Sequence, residues 1–130
     1  MRVLQPASWP RPRGYSNGIV ARGEMVFVAG MVGWDTTGHF PSPTIAGQAR
    51  LALENVVAVL REAGAKPEHI VRMTWYVLDR RAYLDAAAEI GLAFREIIGS
   101  YNAAMSAVEV SALMEEAALV EIEVTAVIPD

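Results

Sequence analysis

Apolar side chains recur along this chain at two periods, and the change from one to the other marks out its elements. Ile45, Ala49, Ala52, Leu53, Val56, Val57 and Leu60 fall three or four apart, the spacing of a helix with one apolar face. Thr44 stands at its N-cap position and Gly64 just past its end, with Gln48, Arg50, Glu54 and Arg61 on the wetter side. A second helix is predicted after Asp79, with Tyr83, Ala87, Ile90, Phe94 and Ile97 as its stripe and Gly99 as its stop. Over 119–128 the period drops to two. Val120, Ile122, Val124, Ala126 and Ile128 point one way, and Leu119, Glu121, Glu123, Thr125 and Val127 the other. The runs 70–78 and 106–113 read as further strands. Shorter β-prone runs at 17–22 and 25–29 flank Gly23-Glu24, which predicts a tight hairpin.

The predicted order is β-β-α-β-α-β-β, an α+β two-layer sandwich with two helices covering one face of one sheet. The other face would carry Glu121, Glu123, Glu109 and Thr125 beside Leu119 and Val127. That mixture suits a wet pocket or a subunit interface. Residues 1–13, rich in Pro and Arg, read as an N-terminal arm, either ordered or frayed, ahead of a single domain at 14–130.

Composition narrows the picture. At 130 residues and 53% hydrophobic content the chain has room for one core, and enough apolar surface left over to point to self-association. A net charge of −4 argues against nucleic acid as a partner. Cysteine is absent, which removes disulfides, thiol nucleophiles and Fe–S clusters. No secretory h-region is visible, and no apolar run approaches the roughly 20 residues of a membrane span. A cytoplasmic protein without membrane contact is expected.

Candidate chemistry is sparse. His39 and His69 lie in turns with no metal-ligand spacing, so no metal is expected. Gly30-Met31-Val32-Gly33 matches neither a dinucleotide fingerprint nor a P-loop, and reads as a turn or a close backbone approach. Glu121 and Glu123 share a strand face. They supply either a general base or water-orienting group in a cleft, or a solvated surface, or partners for arginine across an interface. Ten of the eleven basic residues are arginine. Arg11 and Arg13 precede Gly14-Tyr15-Ser16, so the arm either brings a cation beside a phenol or serves as a solubilising terminus.

Several blocks together resemble the RidA/YjgF family of reactive-intermediate imine and enamine deaminases, also called endoribonuclease L-PSP-like proteins. They are Gly14-Tyr15-Ser16, then Met25-Val26-Phe27-Val28-Ala29-Gly30, then Gln48-Ala49-Arg50 with Ala52-Leu53-Glu54-Asn55-Val56 and Ala63-Gly64-Ala65. The closing blocks are Ser106-Ala107-Val108-Glu109-Val110 and Val120-Glu121-Ile122-Glu123-Val124-Thr125-Ala126. The likeness implies a chorismate-mutase-like fold with a mixed sheet. It implies a homotrimer whose sheets surround a central barrel, small-molecule clefts between subunits, and no cofactor or metal. Archetypal members are hydrolases that convert imines and enamines to 2-oxo acids and ammonia. Ribonuclease activity, associated with other members, fits poorly with the acidic charge.

Carried over by position, the resemblance marks Glu121, which would orient the attacking water, and Tyr15 as catalytic residues. Gly30 matches the glycine of the family's Ser-Gly-Gln element, here flanked by Ala29 and Met31. Met105 stands where the deaminases keep an arginine that grips the substrate carboxylate, Ala107 where cysteine is frequent, and Ala88 where asparagine is frequent. A thioether offers bulk where a guanidinium offers forked, charged donors. Either another cation, Arg13, replaces the missing one, or the ligand is apolar there. The substrate-binding set is then Gly30, Met31, Met105, Ala107 and Arg13. Two functions follow: an imine/enamine deaminase, or a non-catalytic metabolite-binding module with Met31 and Met105 as its adaptable wall.

Overall fold

The sheet and its helices follow from the two periods. In the computed structural model, which describes residues 1–100 and 102–130, the strands are β1 (Arg2–Leu4), β2 (Gly18–Val20), β3 (Glu24–Val32), β4 (Ile70–Val77), β5 (Ala104–Glu109) and β6 (Val120–Ile128). The helices are α1 (Ile45–Glu62), α2 (Arg80–Asp85) and α3 (Ala87–Ile97). The main sheet runs β3-β6-β4-β5, antiparallel across the first two pairings and parallel between β4 and β5. It is therefore a mixed sheet, and the fold is α+β as its pattern predicts.

Helix α1 starts where Thr44 accepts the Gly47 backbone N–H at 3.1 Å, satisfying one of the open donors of the first turn. Asp79 does the same for Ala82 at the start of α2, at 3.0 Å. Ala49, Ala52, Leu53, Val56 and Leu60 of α1 meet Met73, Trp75, Ile122 and Val124 of the sheet, with Ile90, Ala93 and Phe94 of α3 completing one core. Truncating a leucine buried like Leu53 or Leu60 to alanine costs about 2–5 kcal/mol, so this layer holds the sheet rigid beneath the opposite face.

Four expectations need correction. β2 forms no hairpin with β3; it pairs with β1 in a separate two-stranded sheet. Gly23 (φ +144°) instead lets the chain pass against the end of β6, where a Cβ would collide with the Ile128 carbonyl. The predicted second helix is two, broken at Ala86, whose N–H reaches Ala82 while its carbonyl starts α3. The strand predicted to reach residue 113 ends at Glu109. Gln48, assigned to the wet side, is buried. It donates to the Ser42 and Ala117 carbonyls and accepts from Leu119 N–H at 2.7 Å. One buried amide thus ties α1 to the loop feeding β6, a pairing across 71 positions that no local pattern displays.

Candidate functional site

The helix-free face of the sheet carries a polar cluster. On β6, Val120 and Ile122 are fully buried against the helices, so Glu121 between them projects to the opposite side, as Glu123 does two residues on. Tyr76 sits opposite Glu121 on β4, and its hydroxyl donates to the Glu123 carboxylate at 3.1 Å. That hydrogen bond, followed by burial and the charges of Glu123 and Glu121, raises the Tyr76 pKa above its ordinary value.

Glu121 is seated by backbone. Between Val28 and Met31 the β3–β6 register slips, and the bulge contains Gly30. A Cβ at Gly30 would displace the Glu121 carboxylate, so the glycine leaves room for that side chain to lie against β3, in line with the close approach expected for the Gly30–Gly33 stretch. Asn55 of α1 donates to the Val32 carbonyl at 2.9 Å and to the Trp34 carbonyl at 3.0 Å, anchoring the end of β3 where Val32 pairs with Glu121. Gln48 anchors β6 from the other side.

Beyond β3, Asp35 organises the loop. The Thr37 hydroxyl at 2.6 Å, then the N–H groups of His39 and Thr37, hold its carboxyl below its ordinary pKa. His39 is bonded to Thr37, and His69 Nδ1 accepts the Lys66 N–H, so both histidines serve their own turns. Among the described residues no group of three or more His, Asp or Glu side chains is placed to hold a metal ion.

The other candidates gather at the opposite edge. Ser16 N–H bonds the Ala103 carbonyl at 2.9 Å, which pins the segment carrying Arg13 and Tyr15 beside the start of β5. There a cavity of about 570 Å³ opens between β5 and the α2–α3 pair, lined by Arg13, Tyr15, Met105 and Ala107 together with Trp75 and Tyr83. Met105 and Ala107 pair with Met73 and Trp75, which face the helices, so this cavity lies on the helix side of the sheet. The Arg13 guanidinium has no ion-pair partner among the described residues.

One chain therefore brings together Arg13, Tyr15, Met105 and Ala107, and separately Glu121 and Gly30. Met31 joins neither group; it lines a groove with Trp34, Asn55 and Val59 at the far edge of the sheet, so Met31 and Met105 form no common wall within a chain. Ala88 is exposed on α3. Glu109 was expected on the face of Glu121 and is not. Its register partner Val77 faces the helices, and its carboxylate accepts the Arg80 N–H at 2.7 Å at the start of α2. Tyr76 and Trp75 escaped the sequence reading. The signal available for both was their place in 70–78, where alternation puts an aromatic on each face.

The profile of the Endoribonuclease L-PSP family matches residues 8–128. A Rid-family protein of unknown function from Yersinia pestis has a solved structure that superposes with a TM-score of 0.84 at 32% identity, over 98% of each chain. The 2-iminobutanoate/2-iminopropanoate deaminase of Salmonella typhimurium is 33% identical across 108 residues, 81% of this chain and 79% of that protein. TdcF of Escherichia coli, solved with bound serine, is 32% identical with a TM-score of 0.67, covering 98% of both chains. No described helix is long and apolar enough to cross a membrane.

Proposed function

The chain belongs to the Endoribonuclease L-PSP family, the RidA/YjgF group, and from that premise we propose that it hydrolyses 2-imino acids to 2-oxo acids and ammonia in a cleft built by two copies. One observation carries the reading. Arg13, Tyr15, Met105 and Ala107 share a cavity at the β5 edge, while Glu121 and Gly30 lie across the sheet on its other face. A homotrimer that sets the β3–β6 side of one copy against the β5 edge of the next unites them. The helix-free face supports such an assembly: Phe27 is 71% exposed and Met25 57%, apolar surface that a neighbouring copy would cover.

In this cleft the Arg13 guanidinium pairs with the substrate carboxylate, taking the role left open at Met105. Tyr15 borders the ligand at the same mouth. The Glu121 carboxylate of the adjoining copy accepts a proton from water as its oxygen bonds to C2 and the C=N electron pair moves to nitrogen. The proton passes to that nitrogen, the carbinolamine expels ammonia, and the carbonyl forms. The chemistry calls on no metal or cofactor.

Ammonia release from freshly generated 2-iminobutyrate and 2-iminopropionate tests this on material whose mass by light scattering is three times 14.1 kDa. A rate above buffer is expected, and no rate from confirmed trimers overturns it. The carbon wall at Met105 favours a second reading, a metabolite-binding module without turnover. It predicts ligand-induced thermal stabilisation with no ammonia, and gain of hydrolysis in Met105→Arg.

A further inference from the structure

The segment that carries Arg13 and Tyr15 is a closed loop. Its ends are zipped together where β1 pairs with β2, Val3 opposite Ile19 and Leu4 opposite Gly18. Between them residues 5–17 leave that small sheet and return, an Ω-shaped excursion of the kind packed by its own side chains. Half-buried Gln5 does the packing. Its amide nitrogen donates to the Trp9 carbonyl at 3.1 Å, with the Pro6 and Pro10 carbonyls each 3.4 Å away, and its oxygen accepts from the Asn17 side chain at 3.0 Å. One side chain thus spans the loop from the Pro6–Trp9 turn to the return at Asn17. Prolines at 6, 10 and 12 fix φ along the same stretch, and the Ser16 N–H pins its far end to the Ala103 carbonyl. Arg13 depends on this scaffold. It is exposed, and its guanidinium has no ion-pair partner among the described residues, so the loop backbone sets where it stands. Gln5 lies outside the hollow beside Met105; it borders a separate groove with Arg11, Pro12 and Asn102.

We propose that Gln5 is a positioning residue, which holds the 5–17 loop in the shape that presents Arg13 to a ligand carboxylate. The inference rests on the role given to Arg13 in the hydrolytic reading, but the binding it describes needs no turnover. Every bond that shapes the loop lies within one chain, so each copy brings a finished clamp to the cleft that two copies close. A loop already ordered loses less freedom on binding than one that must be fixed around its ligand. Loosening it therefore weakens the grip on the carboxylate and leaves the reacting carbon untouched.

A double-mutant cycle tests the clamp. Gln5→Met keeps the length of the side chain and removes its amide, and Pro12→Ala frees φ beside Arg13 while leaving the Gln5 bonds in place. Each is made in the full chain with Arg13 present and again with Arg13→Ala. Titration with 2-oxobutyrate gives Kd without turnover, and ammonia release from 2-iminobutyrate gives KM and kcat. With Arg13 present, Gln5→Met should raise Kd and KM about tenfold at unchanged kcat, and Pro12→Ala about 2–5-fold. Both effects should vanish in the Arg13→Ala background. A side chain serving stability alone would act equally in the two backgrounds, and that result overturns the clamp. So does a Gln5→Met protein with unchanged Kd and KM, a loss confined to kcat, or an Arg13→Ala protein that binds 2-oxobutyrate as tightly as the parent. Pro12→Ala decides alone should Gln5→Met fail to fold. The coupling seen in Kd, with no ammonia from any of the proteins, overturns the hydrolytic reading and keeps the clamp. Neither binding nor ammonia overturns both.

Discussion

The two edges of the sheet solve opposite problems. At β3–β6 a carboxylate is held by backbone: Glu121 lies over Gly30 in a bulge, with Asn55 and Gln48 anchoring the strands on either side. At β5 the chain leaves a largely apolar hollow, with Arg13, which has no ion-pair partner among the described residues, near its mouth. In the proposed reaction the first edge is a positioned proton acceptor without a pocket. The second is a pocket without that reagent. Complementary halves at opposite edges of one sheet are what a site shared between copies requires, and neither half explains itself within a single chain.

Each edge can be broken separately. The largest effect belongs to Glu121→Gln, which retains shape and removes the proton acceptor. Imine hydrolysis should fall by about 10²–10⁴-fold with the far-UV circular dichroism and Tm unchanged. Next comes Gly30→Ala, which touches no ligand but pushes the carboxylate aside. The expected loss is about 10²-fold in kcat with KM nearly constant, read from steady-state kinetics. At the other edge Arg13→Ala removes charge-assisted hydrogen bonds worth about 1.5–3 kcal/mol, so KM for a carboxylate-bearing imine should rise roughly 10–100-fold with kcat little changed. If both edges gave the same kinetic signature, the division between reagent and pocket would be wrong.

The smallest effect is a pH dependence. Tyr76 has its pKa raised chiefly by its bond to Glu123, so the neutral phenol is favoured in the folded state. Its contribution to stability is fully present below the ordinary tyrosine pKa near 10 and is lost as pH rises through the higher folded value. Denaturant midpoints measured from pH 8 to 12 should decline at the alkaline end, and Tyr76→Phe should flatten that decline.

Much of this was legible along the chain because it is local. The caps at Thr44 and Asp79, the apolar face of α1 and the alternation of β6 depend on neighbours within a few residues. Glu121 could be assigned to the helix-free face for the same reason, since the residues flanking it are apolar and buried. Glu109 could not. Alternation within β5 placed it with Met105 and Ala107, but which face that row occupies depends on the parallel register with β4. The break at Ala86 left no trace, alanine being at home in any helix, and Gln48 looked solvated because its partners lie far away in sequence.

By itself, then, the order of residues determined the elements, the layered class and the family, through periodicity and motifs that act over short stretches of backbone. The tertiary structure decided which side chains share a space. Strand order and register are settled by packing between distant segments, and they put Tyr15 with Met105, laid Glu121 over Gly30, and buried the Trp75 indole with no acceptor among the described residues.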